Sequence, residues 1–262
     1  MFTNPSPFDS LRLNIFMRKH IDLTDTWRQE NVSHFYTHLL FIESGSAYLR
    51  DNGHTLPMEA GMVYLIPSRY RFSYGCNEPH KQLGFLLRLE TTPKVDILSG
   101  FGKICSMPYD PESYRALLSA FHSENHLDHI RMHSMLLHMI FQIAQANSIQ
   151  LNPVPTPSKH IKNAISYISS NLSASLTVTQ ICKALWISES KLRNDFKKQL
   201  HIPIGKYIEQ RLFQEAKKLL ENPSIPIGQI SQHLEFCDHS YFSGRFKELF
   251  GCTPSQFRKS QK

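Results

Sequence analysis

Ile227–Arg258, IGQISQHLEFCDHSYFSGRFKELFGCTPSQFR, is the stretch from which the rest of the chain can be read. Ile227, Ile230, Leu234 and Phe236 fall at helical spacing and make one apolar stripe. A turn centred on Cys237 and Asp238 follows. Ser240 to Phe250 then repeats the period, with Phe242, Phe246 and Leu249 on the inner side. Two short helices joined by a tight turn are predicted, which is a helix-turn-helix.

At about 100° per residue, the second helix gathers Ser240, Ser243, Gly244 and Lys247 on the face opposite its apolar side. A face of that kind can enter a DNA major groove. Any amphipathic helix pair also has a polar outer face, so this alone does not identify the motif. The pattern, however, occurs twice. In VTQICKALWISESKLRNDFKKQLHIPIGKYI, the residues Ile181, Cys182, Ile187, Leu192, Phe196, Lys197 and Tyr207 match Ile230, Ser231, Phe236, Phe242, Phe246, Lys247 and Phe257. The offset is 49 residues before the turn and 50 after it. Such a period means two copies of one supersecondary unit. Between them KYIEQRLFQEAKKLL (206–220) is a strong helical run that would hold the copies at a fixed separation.

These residues resemble the double helix-turn-helix domain of the AraC/XylS family of bacterial transcription regulators. The resemblance is carried in the first unit by Ser188 as helix cap and Phe196-Lys197-Lys198. In the connecting helix it is carried by Tyr207-Ile208, Arg211-Leu212, Ala216 and Leu219-Leu220. In the second unit it rests on Ser240-Tyr241-Phe242-Ser243, Arg245-Phe246-Lys247, Gly251, Pro254 and Phe257-Arg258. It implies binding to double-stranded DNA in two successive major-groove turns, a small-molecule effector or dimerisation as the control, and contact with RNA polymerase, with activation favoured over repression.

Charge agrees. Residues 159–262 hold 16 Lys+Arg against 8 Asp+Glu, whereas residues 1–158 hold 13 against 14. The whole positive excess sits on the duplicated part, as phosphate neutralisation requires. In the first recognition helix the outer face collects Ser190, Arg193, Asn194 and Lys197. Arg pairs bidentately with guanine and Asn with adenine, so Arg193 and Asn194 are the expected base readers. Lys191, Lys197 and Lys198 suit phosphates. The second head offers His239, Ser240, Ser243, Arg245 and Lys247. It lacks a long side chain at Gly244, where many relatives carry a basic one, and is expected to anchor the backbone more than to read bases. His201 and Glu235 stand where relatives often have glycine, and Ser231 where they often have alanine. A left-handed residue other than glycine costs on the order of 1 kcal/mol, so the second unit is expected to be marginally stable.

Upstream the texture changes. From about Ile15 to Leu89, β-rich runs such as HLLFI (38–42), AYLR (47–50) and GMVYLIP (61–67) alternate with turn signals, Asp51-Asn52-Gly53 being a hairpin signature. A small antiparallel barrel or jelly roll is expected. With Glu43-Ser44-Gly45, Gly61 and Pro67 in order, the segment resembles the cupin-like effector domain of the same family. It departs from metal-binding cupins: the first histidine motif is His34-Phe-Tyr-Thr-His38, and Phe72 stands at the later histidine position. A cupin-type metalloenzyme with a DNA-binding tail is the rival reading, which the missing ligands disfavour. No metal and no cofactor are expected. Polar groups suited to an anionic effector are His34, Tyr36, Arg50, Tyr64, Arg69, Arg71 and Arg88, each of which could equally face outward. A barrel that only dimerises remains a third reading.

Pro111 to Asn147 reads as two helices, the first striped by Tyr114, Leu117, Leu118 and Phe121, the second by Ile130, Met135, Leu136, Met139, Ile140 and Ile143. His122, His126, His129 and His133 would cluster on one unbroken helix, but Glu124–Asp128 is expected to break it and scatter them. In the family a helix pair here forms a homodimer contact. The expected layout is α+β: a sensing and dimerisation domain over 1–150 (cupin-like barrel 1–105, helix pair 110–148), a Pro-rich linker 151–158, and an all-α DNA-binding domain 159–262. The latter comprises helix-turn-helix units 176–200 and 226–250 around a linker helix 205–221. Five cysteines without CxxC spacing, no signal-like start and no 18-residue apolar run point to a cytoplasmic protein with reduced thiols and no membrane span.

Overall fold

A computed structural model describes residues 10–76, 78–91, 95–150, 157–200 and 202–259. The chain divides into two compact units, Met1–Val154 and Pro155–Lys262. The expected linker 151–158 lies mostly outside the described residues, as does His201.

Among the described residues the first unit contains ten strands: β1 (Arg12–Leu23), β2 (Arg28–Ser33), β3 (Thr37–Ser44), β4 (Ser46–Asp51), β5 (His54–Glu59), β6 (Met62–Ile66), β7 (Arg71–Gly75), β8 (His80–Thr91), β9 (Val95–Asp96) and β10 (Cys105–Pro108). They form two antiparallel sheets. One runs β1-β8-β3-β6-β10 with β9 on β8, and the other runs β2-β7-β4-β5. The β4–β5 hairpin turns at Asn52 (φ 46°) and Gly53 (φ 84°), two left-handed residues in succession, as a type I′ turn requires.

Strand β3 explains the layering. Its central run, Leu39–Ile42, is apolar at four successive positions, which a strand needs only when both faces are covered. Leu39 and Phe41 join Leu83, Phe85 and Leu87 against helices α1 (Pro111–His122) and α2 (His126–Ala146). Leu40 and Ile42 point the other way, into Leu49, Met58, Tyr64, Ile66 and Phe72 of the space between the sheets. The first sheet is therefore sandwiched between the helix pair and the second sheet. The helices break at Ser123–Asn125, where Asn125 caps α2. This sets His122 apart, while His126, His129 and His133 stay together on α2. His122 meets His20 of β1 (Nε2 to Nδ1, 3.3 Å), while Arg18 reaches His129 (3.5 Å). One expectation on α2 needs correction: Ile130 does not face inward but is 66% exposed. Met132, Leu136, Met139, Ile140 and Ile143 carry the buried side.

The second unit is all-helical: α3 (Lys159–Ser170), α4 (Val178–Leu185), α5 (Glu189–Leu200), α6 (Ile204–Glu221), α7 (Ile227–His233), α8 (His239–Phe250) and α9 (Pro254–Lys259). The duplication is visible in its packing. Phe196 meets Tyr207 edge-on at 5.2 Å and 65°, and fifty residues on Phe246 meets Phe257 at 5.8 Å and 62°. Each turn closes the same way, with Ile187 N donating to Cys182 O (3.1 Å) and Phe236 N donating to Ser231 O (3.0 Å). Helix α6 belongs to both copies. Tyr207 packs on the first, and Phe213 stacks on Phe242 of the second at 5.9 Å with rings nearly parallel.

Candidate nucleic-acid interface

Helix α4 starts at a reciprocal cap between Thr177 and Gln180 and ends at Trp186. Helix α5 follows, its first turn capped by Ser188, whose Oγ accepts from Lys191 N at 3.4 Å. Leu192, Phe196 and Leu200 are buried, which turns Ser190, Lys191, Arg193, Asn194, Lys197 and Lys198 outward, all exposed. In the second copy Asp238 caps α8 by accepting from Ser240 N (2.7 Å), and Phe242, Phe246, Leu249 and Phe250 are buried. His239, Ser240, Gly244 and Lys247 are exposed, and Ser243 is half-buried.

Several of these cations are held by carboxylates. Arg193 donates from Nε to Glu189 Oε1 at 2.8 Å, one helical turn back. The bond from Arg193, then that from Thr179, keeps the Glu189 carboxyl below its ordinary range. Lys191 lies 3.1 Å from Asp195, which also accepts from His160 of α3 at 2.7 Å. The bonds from Lys191 and then His160 hold the Asp195 carboxyl low. A guanidinium bonded along one edge still presents its remaining N–H groups, so Glu189 aims Arg193.

Arg245 is placed differently from its neighbours on α8. It is half-buried and donates from Nε to Glu209 of α6 at 2.6 Å, with a second bond to Glu248. Burial works to raise the Glu209 carboxyl, but its bonds from Arg245 and Lys206 outweigh that and hold it low. The same bond to Glu209 raises Arg245. Arg245 thus ties α8 to α6, a contact that local spacing does not reveal because the partners stand 36 residues apart.

Between the two copies lies a cleft of about 720 Å³. Its lining includes Ile208, Leu212, Phe213 and Phe236, and also Arg193, Lys206, Glu209 and Asp238. Lys206, at the start of α6, and Glu189 are functional candidates that the helix-face reading passed over. The i,i+4 spacing Glu189/Arg193 was available as a signal.

Both turns are left-handed at residues other than glycine. Glu235 has φ 58°, as its position implied, and Trp186 has φ 53° at the equivalent place in the first copy. Glu235 is anchored by a short bond from Ser175 Oγ, whereas the Trp186 ring is 95% exposed. Ser231 is buried against the core.

A family model described as a helix-turn-helix domain matches residues 181–260. Residues 181–260 are a helix-turn-helix domain of AraC type. The chain is similar to the Msm operon regulatory protein of Streptococcus mutans, 27% identical, with 84% of this chain and 82% of that protein covered. It is also similar to the arabinose operon regulatory protein of Salmonella typhimurium, 25% identical, with 82% and 80% covered. Its fold is shared with ToxT from Vibrio cholerae, at TM-score 0.56 and 15% identity over 95% of this chain and 98% of that one. The α+β architecture, with two antiparallel sheets followed by a helical unit, is common to that fold.

In the first unit the seven polar residues singled out as effector candidates divide: Tyr36, Arg69 and Arg88 stand near enough for their charges to act on one another, whereas Arg50 and Arg71 have other partners. Tyr36 and Arg88 are buried, and Arg88 pairs with Glu90 (3.0 Å) and Asp96 (3.5 Å). Tyr64 donates to Pro57 O (2.9 Å) and accepts from Glu59 N (3.0 Å). His34 and His38 bond each other at 2.9 Å beside Phe72. Burial lowers His34 to about 4 and His38 well below the usual imidazole range. Arg69 is brought down to about 10, by burial first and the Arg88 charge next. Arg71 donates to Asn31 at 2.9 Å on the exposed side, and Arg50 lies outside the barrel beside Tyr48. Among the described residues no group of three or more His, Cys, Asp or Glu could hold a metal ion, and no helix is long and apolar enough to cross a membrane.

Proposed function

We propose that this regulator binds double-stranded DNA with α5 and α8 in two successive major-groove turns and acts in the cytoplasm as an activator controlled through its first unit. The observation that carries the reading is the duplicated unit itself, with both recognition helices exposing a polar and basic face. Helix α6 has 18 residues. At 1.5 Å per residue its length is about 27 Å, of the order of the roughly 34 Å between successive major grooves on one side of the duplex. Arg193 and Asn194 read bases; Lys191, Lys197, Lys198 and Lys247 meet phosphates; His239, Ser240 and Ser243 enter the second groove, and Arg245 steadies α8 from behind. The relatives named as operon regulators, and a further one named as the transcriptional activator RhaR of Mannheimia succiniciproducens, support activation through RNA polymerase.

The helix pair supports homodimer formation through 111–147. Leu127, Ile130, Ser134, Leu137 and Phe141 of α2 are all exposed and fall at alternating spacings of three and four. That is a coiled-coil seam, opposite the side α2 buries in its own unit.

Footprinting on promoter fragments tests the DNA reading. Two protected segments about 10 base pairs apart on one face of the duplex are expected. Protection of a single segment, or no shift at modest ionic strength, would overturn it.

A further inference from the structure

The first unit carries a groove on the outer face of its second sheet, distinct from the filled space between the sheets. It has a volume of about 600 Å³ and is lined by Arg28, Glu30, Ser46, Tyr48, Arg50 and Pro57, among others. Strand register builds it. Arg28, Gly75, Tyr48 and Pro57 stand side by side in one row across β2, β7, β4 and β5. Gly75 lets Tyr48 lie down: a Cβ there would come 2.7 Å from Tyr48 Oη and 2.9 Å from Cζ. The phenol thus lies across the neighbouring strand as a floor. Arg50, two residues along on the same face, holds its guanidinium 5.5 Å from the centre of that ring. Glu30 faces Arg50 at 3.9 Å, near the outer limit for an ion pair. The irregular pairing between Gln29 and Val32 of β2 lies beside Glu30.

The groove therefore combines an aromatic floor, two guanidiniums and one carboxylate. We propose that it is a binding site for a small hydroxylated ring acid, whose ring lies against Tyr48, whose carboxylate lies between Arg28 and Arg50, and whose hydroxyl donates to Glu30. Two guanidiniums against one carboxylate leave a net positive site, which selects an anion. Their planar forks match a carboxylate in two-pronged geometry. A flat aromatic surface favours a ring over an open chain. The volume falls within the range of small-molecule sites, roughly 300–1,000 Å³. Sugar acids and phenolic acids share this chemistry.

The proposal deepens the effector reading of the first unit and rests on it for any consequence at a promoter, while binding itself stands apart. Titration calorimetry on the full chain with glucuronate, 4-hydroxybenzoate and inorganic phosphate separates the sources. One of the two ring acids is expected to bind, and phosphate alone more weakly. Arg28→Ala and Arg50→Ala, both surface changes, are each expected to weaken that binding about tenfold or more through loss of a charge-assisted contact. Gly75→Ala should do the same by lifting Tyr48, and Tyr48→Leu should remove the ring preference. Binding of neither ring acid at millimolar concentration, or binding unchanged in the arginine variants, overturns the site. A gel shift with the same samples distinguishes the two readings: DNA bound with no ring acid bound sinks only this inference. Ring acid bound with no DNA shift sinks the regulatory reading and leaves the groove standing.

Discussion

Arg193 and Arg245 show how one side chain serves two ends on a helix surface. Arg193 is exposed and, among the described residues, bonded along its own helix to Glu189, so its outer edge is available for guanine O6 and N7. Arg193→Ala should cost about 1–3 kcal/mol of specific binding and relax preference at one base pair, as read by base-by-base competition. Arg245 spans to Glu209, and its removal leaves a half-buried carboxylate without its main partner. Arg245→Ala is expected to lower the stability of the second unit by on the order of 1–2 kcal/mol and to weaken all DNA sequences alike. A change of preference at one base pair would instead place Arg245 in a groove. The two turn residues differ in the same spirit. Trp186 and Glu235 share a left-handed backbone, but the Trp186 ring touches little, whereas Glu235 is bonded to Ser175. Trp186→Gly should therefore stabilise the fold by roughly 0.5–1 kcal/mol in urea unfolding, and Glu235→Gly by less.

Helix α2 marks where sequence periodicity runs out. Its apolar residues form two stripes, one buried in the unit and one along Leu127, Ile130, Leu137 and Phe141. Spacing finds both but cannot rank them, because which side meets the sheet is set by β3 and β8, far away in the chain. Spacing alone therefore assigns Ile130 to the core, where the structure does not place it. The recognition helices were legible for the opposite reason: each buries one side built around a phenylalanine, and the copy fifty residues away repeats it. Strand β3 was legible as apolar texture, yet its partners β6 and β8 were not, since register depends on pairing across the unit. The exposed stripe gives a direct test. Ile130 is 66% and Phe141 56% exposed, so Ile130→Asp with Phe141→Asp should leave the monomer folded. Sedimentation is expected to show a dimer for the parent chain and a monomer for the variant, and a parent that sediments as a monomer removes the seam's role.

Over the whole chain, the buried histidines with lowered pKa values lie in the first unit, whereas lowered carboxyls occur in both. In the first, His34, His38 and His80 all have lowered pKa values with burial as the leading cause, His34 to about 4 from an ordinary 6.5. An imidazole that is neutral when folded and basic when unfolded binds more protons in the unfolded state. Its contribution is intact above 6.5 and is lost as pH falls from there through the folded value. In the second unit the shifted acids are Glu189, Asp195, Glu209 and Glu235, all lowered. Their stabilisation is present above the ordinary carboxyl range, about 4 to 4.5, and is lost only as pH drops through their lower folded values. Between pH 6.5 and 5 the first unit should therefore weaken while the second holds. The chain has two tryptophans, and they separate the signals. Trp27 packs on Tyr74 at 4.4 Å and His80 at 4.9 Å in the first unit, while Trp186 is almost wholly exposed. The urea midpoint followed by Trp27 fluorescence in a Trp186→Gly background should fall between pH 6.5 and 5. The midpoint of the helical far-ultraviolet signal, which the second unit dominates, should move little until the carboxyl range is reached. Midpoints that fall together from pH 6.5 would mean that the buried histidine pair does not set the acid limit of the first unit.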